Sequence, residues 1–360
     1  MMFDPNIAYD DLPLLPPSFE IDSKKILKKC IKARAQLAQL NGLANLLPNQ
    51  EILINSIPLM EAKNSSEIEN IVTTTDAIYQ SAIATDTKQD SATKEVLHYR
   101  QALKLGSEAL SKKPISTNLI IDIVSCLLNK EMTIRKIPGT TLSNPATSEV
   151  IYTPPAGKEI INKKLSNWEQ YIHQKDDIDP LIKLAISHYQ FEAIHPFLDG
   201  NGRTGRIVNI LFLVEKKLLE LPVLYLSRYI AQNKDQYYKL LINVTTHNQW
   251  EPWILFMLDA VEVTSLYTKN KIENIHRLLL STISFCQENL PSKVYSKELI
   301  ELLFYLPYCR IKTLVDHNIA ARHKASNDLK ALAEIGVLES KKVGKETLYI
   351  NTALLSELSN

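Results

Sequence analysis

Apolar residues recur at intervals of three and four along most of this chain, and that spacing limits it to a mainly α fold. From Lys24 onward, Ile26, Leu27, Ile31, Leu37, Leu40 and Leu46 fall at helical spacing, and helical stretches continue to about Leu128. Polar joints are expected near Asn41, Asn64 and Asp86 to Gln89. The residues up to about Ser23 are rich in Pro, Leu and Asp without that period, which predicts an extended arm lying on the body. Between Gly139 and Pro155 the pattern changes: Thr140-Thr141-Leu142 and Glu149-Val150-Ile151-Tyr152-Thr153 flank a Ser143-Asn144-Pro145 turn, as in a β-hairpin. Helices are expected again from about Lys164, from Pro180 through Phe191, and from Ile207 to Val214. Beyond Pro291-Ser292-Lys293, helical stretches at 296–304, 310–317 and 322–335 precede Val337-Leu338, a Gly344-Lys345 turn and Leu348-Tyr349-Ile350. Helices followed by a hairpin predict a winged helix.

Charge and composition exclude several classes. With 41 Lys+Arg against 40 Asp+Glu, the chain is neither polycationic nor an acidic tail. Its longest apolar run, Trp253 to Leu258, is far short of a membrane span, and no secretory leader is visible at Met1-Met2-Phe3-Asp4-Pro5. The expectation is a soluble cytoplasmic protein, with export by another route left open. Cys30, Cys126, Cys286 and Cys309 are too scattered for a zinc ribbon or redox pair and read as reduced thiols. His188 and His195 lack a third ligand for zinc, so His188 reads as a core or surface residue. The segment 290–360 carries ten Lys/Arg and eight Asp/Glu, with Arg322, Lys324, Lys330, Lys341, Lys342 and Lys345 toward its last helix and wing. Protein docking or dimer contact is preferred there over nucleic acid.

Glycine is scarce, nine residues in 360, yet Gly200, Gly202 and Gly205 fall within six positions. Three readings compete for this loop. The G-x-G-x-x-G spacing of a dinucleotide site needs a preceding buried strand, and Glu192, His195 and Pro196 do not make one. A P-loop needs Lys and Ser/Thr where Arg206-Ile207 stand. The third reading is an anion site at a helix N-terminus, with small residues that bring backbone N–H groups to phosphate. Arg203 and Arg206, three apart, then clamp a polyphosphate, Asp199 supplies a hard oxygen for magnesium, and His195 is a general base.

The run from His195 to Arg206, His-Pro-Phe-Leu-Asp-Gly-Asn-Gly-Arg-Thr-Gly-Arg, is similar to the Fic signature H-P-F-x-D-G-N-G-R-x-x-R and matches every specified position. The resemblance implies a Fic-type helical core with a β-hairpin flap, and adenylylation: AMP moves from ATP onto a Ser, Thr or Tyr hydroxyl of a target protein, or of the protein itself. It makes His195 the base and Asp199 the magnesium ligand. It places Gly200, Asn201, Gly202, Arg203, Thr204, Gly205 and Arg206 against the ATP phosphates, with Arg203 and Arg206 on the outer ones. Val150, Ile151, Tyr152 and Thr153 look like the flap that docks the target by strand addition. Tyr237-Tyr238 resembles a pair near the adenine. A lysine accompanies phosphate transfer in the related Doc toxins, so Gly202 favours AMP transfer.

Upstream, Ser65, Glu69 and Asn70 match the family's inhibitory motif [S/T]-x-x-x-E-[G/N], whereas Ser66-x-x-Glu69 also reads as a capping box opening a helix through Ile71 and Val72. Inhibition would come from Glu69 pairing with Arg206 and taking the γ-phosphate seat. The expected divisions are 1–110, an N-terminal region with the inhibitory helix at about 61–72; 111–265, the catalytic core; 266–289, a helical linker; and 290–360, the winged helix. Two rival functions remain: removal of AMP from a modified protein with Glu69 aligning water, and a DNA-binding regulator. The target's identity stays open, as does a homodimer.

Overall fold

The helical spacing is realised in the computed structural model, which describes residues 3–44, 49–83, 90–143, 147–343 and 346–359. The first helices are α1 (Lys24–Ala44), α2 (Glu51–Ile68), α3 (Thr75–Ile83), α4 (Ser91–Ala109) and α5 (Thr117–Leu128). A hairpin of β1 (Leu142–Ser143) and β2 (Val150–Tyr152) follows. Then come α6 (Lys158–His173), α7 (Pro180–Ile194), α8 (Asn201–Glu215), α9 (Leu226–Gln232), α10 (Lys234–His247) and α11 (Trp250–Asn289). The C-terminal part holds α12 (Lys297–Leu302), β3 (Tyr308–Cys309), α13 (Ile311–Asp316), α14 (Arg322–Glu334), β4 (Glu339–Val343), β5 (Glu346–Ile350) and α15 (Thr352–Ser359).

Nearly every residue of α7 is buried, so this helix is the axis of the core. Pro180 sits in its first turn, where a missing N–H is no loss, and Asp179 caps it by accepting from Leu181 N at 2.8 Å. The indoles of Trp168 and Trp253 donate to the α7 carbonyls of Ser187 and Ala185, each at 2.8 Å. Helix α8 packs against α7, α4 and α5, while α2 lies on α4 and α9, and α1 runs along α11. The C-terminal sheet is antiparallel in the order β3-β5-β4, with Ile350 opposite both Tyr308 and Glu339.

The arm before α1 lies on the flap and α6. Leu12 and Leu15 are buried, and Lys164 Nζ donates to Leu12 O at 2.6 Å. Asn167 bridges both backbone groups of Leu15, and Tyr9 N donates to Thr153 O at 2.9 Å.

Several expected boundaries move. Helix α1 continues past Asn41, and α2 continues through Asn64, with the backbone ladder unbroken at both; Asn41 Oδ1 instead accepts from Glu220 N at 2.8 Å. The capping box at Ser66 and Glu69 is not formed: those residues end α2 instead of opening a helix. Helix α6 starts at Lys158, where Gly157 at φ +88° turns the chain out of the hairpin. The division expected at 265/266 falls inside α11, one continuous helix. Strand β3 and helix α15 were not expected; α15 packs on α11, with Lys271 Nζ donating to Glu357 O at 2.5 Å. Leu46, the joint from Asp86 to Gln89, the turn residues Asn144 and Pro145, and the Gly344-Lys345 turn lie outside the described residues. No described helix is long and apolar enough to cross a membrane.

Leu12 anchors the arm, so Leu12→Ala should weaken its docking by about 2 kcal/mol or more. Limited proteolysis should show cleavage within residues 3–23 accelerating roughly tenfold or more, with the unfolding midpoint of the helical body little changed.

Candidate active site

The site begins where α7 ends. His195 closes the helix in the left-handed region, at φ +49°, with its N donating to Phe191 O at 3.0 Å. Its ring is half-buried. Burial, and then the Arg135 charge, push its pKa down to about 4, so the imidazole is neutral at neutral pH and can take a proton.

The following loop is held by its own side chains. Asn201 clamps Phe197, with Oδ1 accepting from Phe197 N at 2.8 Å and Nδ2 donating to Phe197 O at 2.9 Å, while the Phe197 ring is buried. Gly200 turns the chain at φ +76°, and Asp199 Oδ1 accepts from Gly200 N at 2.6 Å. Helix α8 thereby presents its N-terminus beside His195. Thr204 is buried with its N donating to Gly200 O at 2.9 Å.

The two arginines take separate partners. Arg206 is 1% exposed; its Nε donates to Ser65 Oγ at 2.8 Å, and its Nη2 donates to Ser65 O at 2.9 Å and to Glu69 Oε1 at 2.8 Å. Arg203 pairs with Glu95 of α4 at 2.6 Å and approaches Asp199 at 3.5 Å. Burial opposes ionisation of Glu69, but the charge and hydrogen bond of Arg206 hold its carboxyl below the usual carboxylate range. A Cβ on residue 202 would collide with Glu69 Oε1 and sit 2.9 Å from Arg206 Nη1, so glycine there makes the carboxylate's seat. Gly205 instead allows two helices to meet, since a Cβ there would lie 2.5 Å from Glu192 Oε1, at the crossing of α7 and α8.

Glu69 is placed by the way α2 ends. Asn70 N donates to Glu67 O and Ile71 N to Ser66 O, both at 3.0 Å, with Asn70 at φ +62°: a Schellman termination. Asn is one of the few side chains besides Gly that adopts this conformation readily, which accounts for the Asn after Glu69. Its Oδ1 also accepts from Lys234 Nζ at 2.9 Å.

A cavity of about 650 Å³ opens between α2, the flap and α10, lined by Glu69, Ile151, Tyr152, Glu192, Lys234 and Tyr238. Tyr238 reaches it, whereas Tyr237 is buried in the core, sharing a 2.8 Å hydrogen bond with His188 Nε2 and packing on Trp253. His188 is a neutral core residue, its pKa pushed to about 3 by burial and then by Arg206. In the flap, Tyr152 turns inward and donates to Ala193 O at 2.8 Å. Val150 is half-buried and Ile151 exposed, while Thr153 is bound to the arm through its side chain and its carbonyl.

Three consecutive stretches match descriptions of one family: residues 27–108 the Fic/DOC family N-terminal, 114–213 the Fic/DOC family, and 278–354 the protein adenylyltransferase SoFic-like C-terminal domain. The chain belongs to the Fic/DOC family. The protein adenylyltransferase Fic of Nematostella vectensis is 27% identical over 194 residues, 53% of this chain and 43% of that one. A probable protein adenylyltransferase of Aquifex aeolicus is 38% identical over 82 residues, 22% of this chain and 25% of that one. The chain thus spans less than half the length of these curated relatives. A crystal structure of a Fic family protein from Desulfovibrio desulfuricans superposes with TM-score 0.53 at 20% identity, covering 93% of this chain and 98% of that one. Fic-1 from C. elegans, residues 134–508, superposes at 0.52 with 21% identity, over 69% and 74%.

Within this Fic/DOC site, four contributors were invisible to motif reading: Glu95, Arg135, Glu61 and Glu192. Glu61 accepts from Ser227 N at 2.9 Å and from the hydroxyls of Ser227 and Tyr99, fixing α2 to α9. Burial, only partly offset by Arg206, raises Glu192 to about 7. A carboxyl raised in the fold contributes fully below its ordinary value near 4.5 and loses that contribution as pH rises through 7. Glu192→Gln should therefore gain thermal stability over the parent at pH 8 and show a smaller gain at pH 5.

Proposed function

We propose that this chain transfers AMP from magnesium ATP to a hydroxyl of a target protein, and that Glu69 holds it in check. The observation that carries the reading is a neutral His195 at the N-terminus of α8, beside a buried Arg206 whose anion seat is filled by a carboxylate on a separate helix. The names of the curated relatives support the reaction class.

In the step proposed, the target hydroxyl oxygen forms a bond to the α-phosphorus, the bond from that phosphorus to the bridging oxygen breaks, and pyrophosphate leaves. The hydroxyl proton passes to the His195 ring. Backbone N–H groups of Gly200, Asn201 and Gly202 and the α8 dipole would stabilise the phosphate charge, with Arg206, and Arg203 beside it, on the outer phosphates. Tyr238 and the cavity would take the adenine. Asp199 suits magnesium: its side chain is 71% exposed, and one carboxylate plus substrate phosphates is a usual set for that ion. When bound, the ion would neutralise phosphate charge. Val150 and Ile151 offer the flap edge to an extended segment of a Ser-, Thr- or Tyr-bearing target, which can be a second copy or the protein itself.

Glu69 acts by occupancy, since its Oε1 on Arg206 lies where an outer phosphate would bind. A second reading, hydrolysis of AMP from a modified protein, draws on the same carboxylate, whose charge also reaches His195 and could align a water. The C-terminal elements we read as a winged helix; the exposed Arg322, His323 and Lys330 on α14 would make it a DNA reader only if a salt-dependent complex survives His195→Ala.

With ATP labelled at the α-phosphate, Glu69→Gly should raise protein labelling at least tenfold, and adding His195→Ala should lower it by roughly a hundredfold. Label at the γ-phosphate should not transfer. Equal or lower labelling by folded Glu69→Gly would overturn the inhibitory role of Glu69, and loss of AMP from modified protein only with Glu69 present would favour the hydrolase.

A further inference from the structure

Arg135 lies between α5 and the flap, 3% exposed, and its guanidinium directs its hydrogen bonds to backbone carbonyls alone. Nε donates to His195 O at 2.7 Å, and Nη2 donates to Ile194 O at 3.2 Å and to Pro155 O at 2.5 Å. Its own N donates to Pro196 O at 2.9 Å. One residue therefore touches three successive carbonyls around the histidine turn and the end of the hairpin three residues past Tyr152. Two of those carbonyls are the orphans at the negative end of α7, where a cation is favoured. No carboxylate pairs with it among the described residues, although the charge of Asp10 reaches it at longer range. A buried charge without an ionic partner is a costly way to gain stability, which an apolar side chain would supply more cheaply.

We propose that Arg135 is a positioning residue that sets the register between the flap, which presents the target hydroxyl, and His195, which takes its proton. The planar fork spans the two segments at a fixed separation, and Tyr152 to Ala193 O adds a second tie to the same last turn of α7. A displacement of the flap by about 1 Å would pull the hydroxyl out of attack geometry while leaving the phosphate seat intact. The inference rests on the AMP-transfer reading.

The test uses the full chain with Glu69→Gly as parent and follows self-labelling and labelling of lysate proteins from α-labelled ATP. Arg135→Lys keeps the charge and loses the fork; it should lower the rate at saturating ATP at least tenfold, with ATP affinity within twofold of the parent. Arg135→Gln should lower it similarly. It should also move the acid limb of the rate profile to higher pH, since the Arg135 charge, together with burial, holds His195 low against Asp199. Parental rates in both folded variants would overturn the role. So would a loss of ATP affinity in step with rate, which marks general packing. If Arg135→Gln fails to fold, the rate and affinity of Arg135→Lys decide. No label from the parent would overturn the AMP-transfer reading itself, and the positioning role with it.

Discussion

A guanidinium buried as deeply as that of Arg206 must be matched by acceptors and by negative charge, and it obtains both from the last turn of α2. Much of the site follows from that requirement. The helix has to stop where Ser65 and Glu69 reach Arg206, which the Schellman turn at Asn70 ensures. Residue 202 has to lack a side chain, because the carboxylate occupies that volume. The same positive charge helps keep His188 neutral and lowers the cost of ionising Glu192 and Glu61 nearby. Any group that took the place of Glu69 on Arg206 would have to bring comparable negative charge.

The flap is held from the opposite side by different means. Thr153 accepts the arm through its carbonyl and donates to Pro5 O at 2.6 Å, and Ala156 N donates to Asp10 Oδ1 at 2.7 Å. Val150 and Ile151 take no part in these bonds; the first is half-buried and the second exposed. Thr153, one residue past β2, is thus committed to the arm on both its side chain and its carbonyl.

The helical fold, α7, α8 and the loop between them were legible because long apolar periods and a dense local cluster leave few alternatives. Ser65, Glu69 and Arg206 do come together, 137 positions or more apart in sequence. The helix expected at about 61–72 runs instead from Glu51 to Ile68, and Ser-x-x-Glu, which fits both a capping box and a C-terminal turn, could not place its end; the left-handed Asn70 decides it, and one residue's φ carries no signal of its own. Glu95, Arg135 and Glu192 lie on ordinary helical or extended stretches, and their importance arises only from tertiary packing. Tyr237 and Tyr238 are adjacent and point to different places, core and cavity, because successive residues on a helix face about 100° apart.

Helix α11 joins the helical body to the C-terminal elements as a single rod of about 60 Å, 40 residues at a rise of 1.5 Å each. A loose tether of that length would let the C-terminal part sample a broad sphere, and anything it bound would meet the active site by effective concentration. A rod braced by α1 along its first half and by α15 at its middle, where Lys271 and Asn274 meet Glu357, imposes a reach and a bearing instead. The distance between the histidine turn and any ligand of the C-terminal part is thereby a dimension of the protein, in the manner of a ruler.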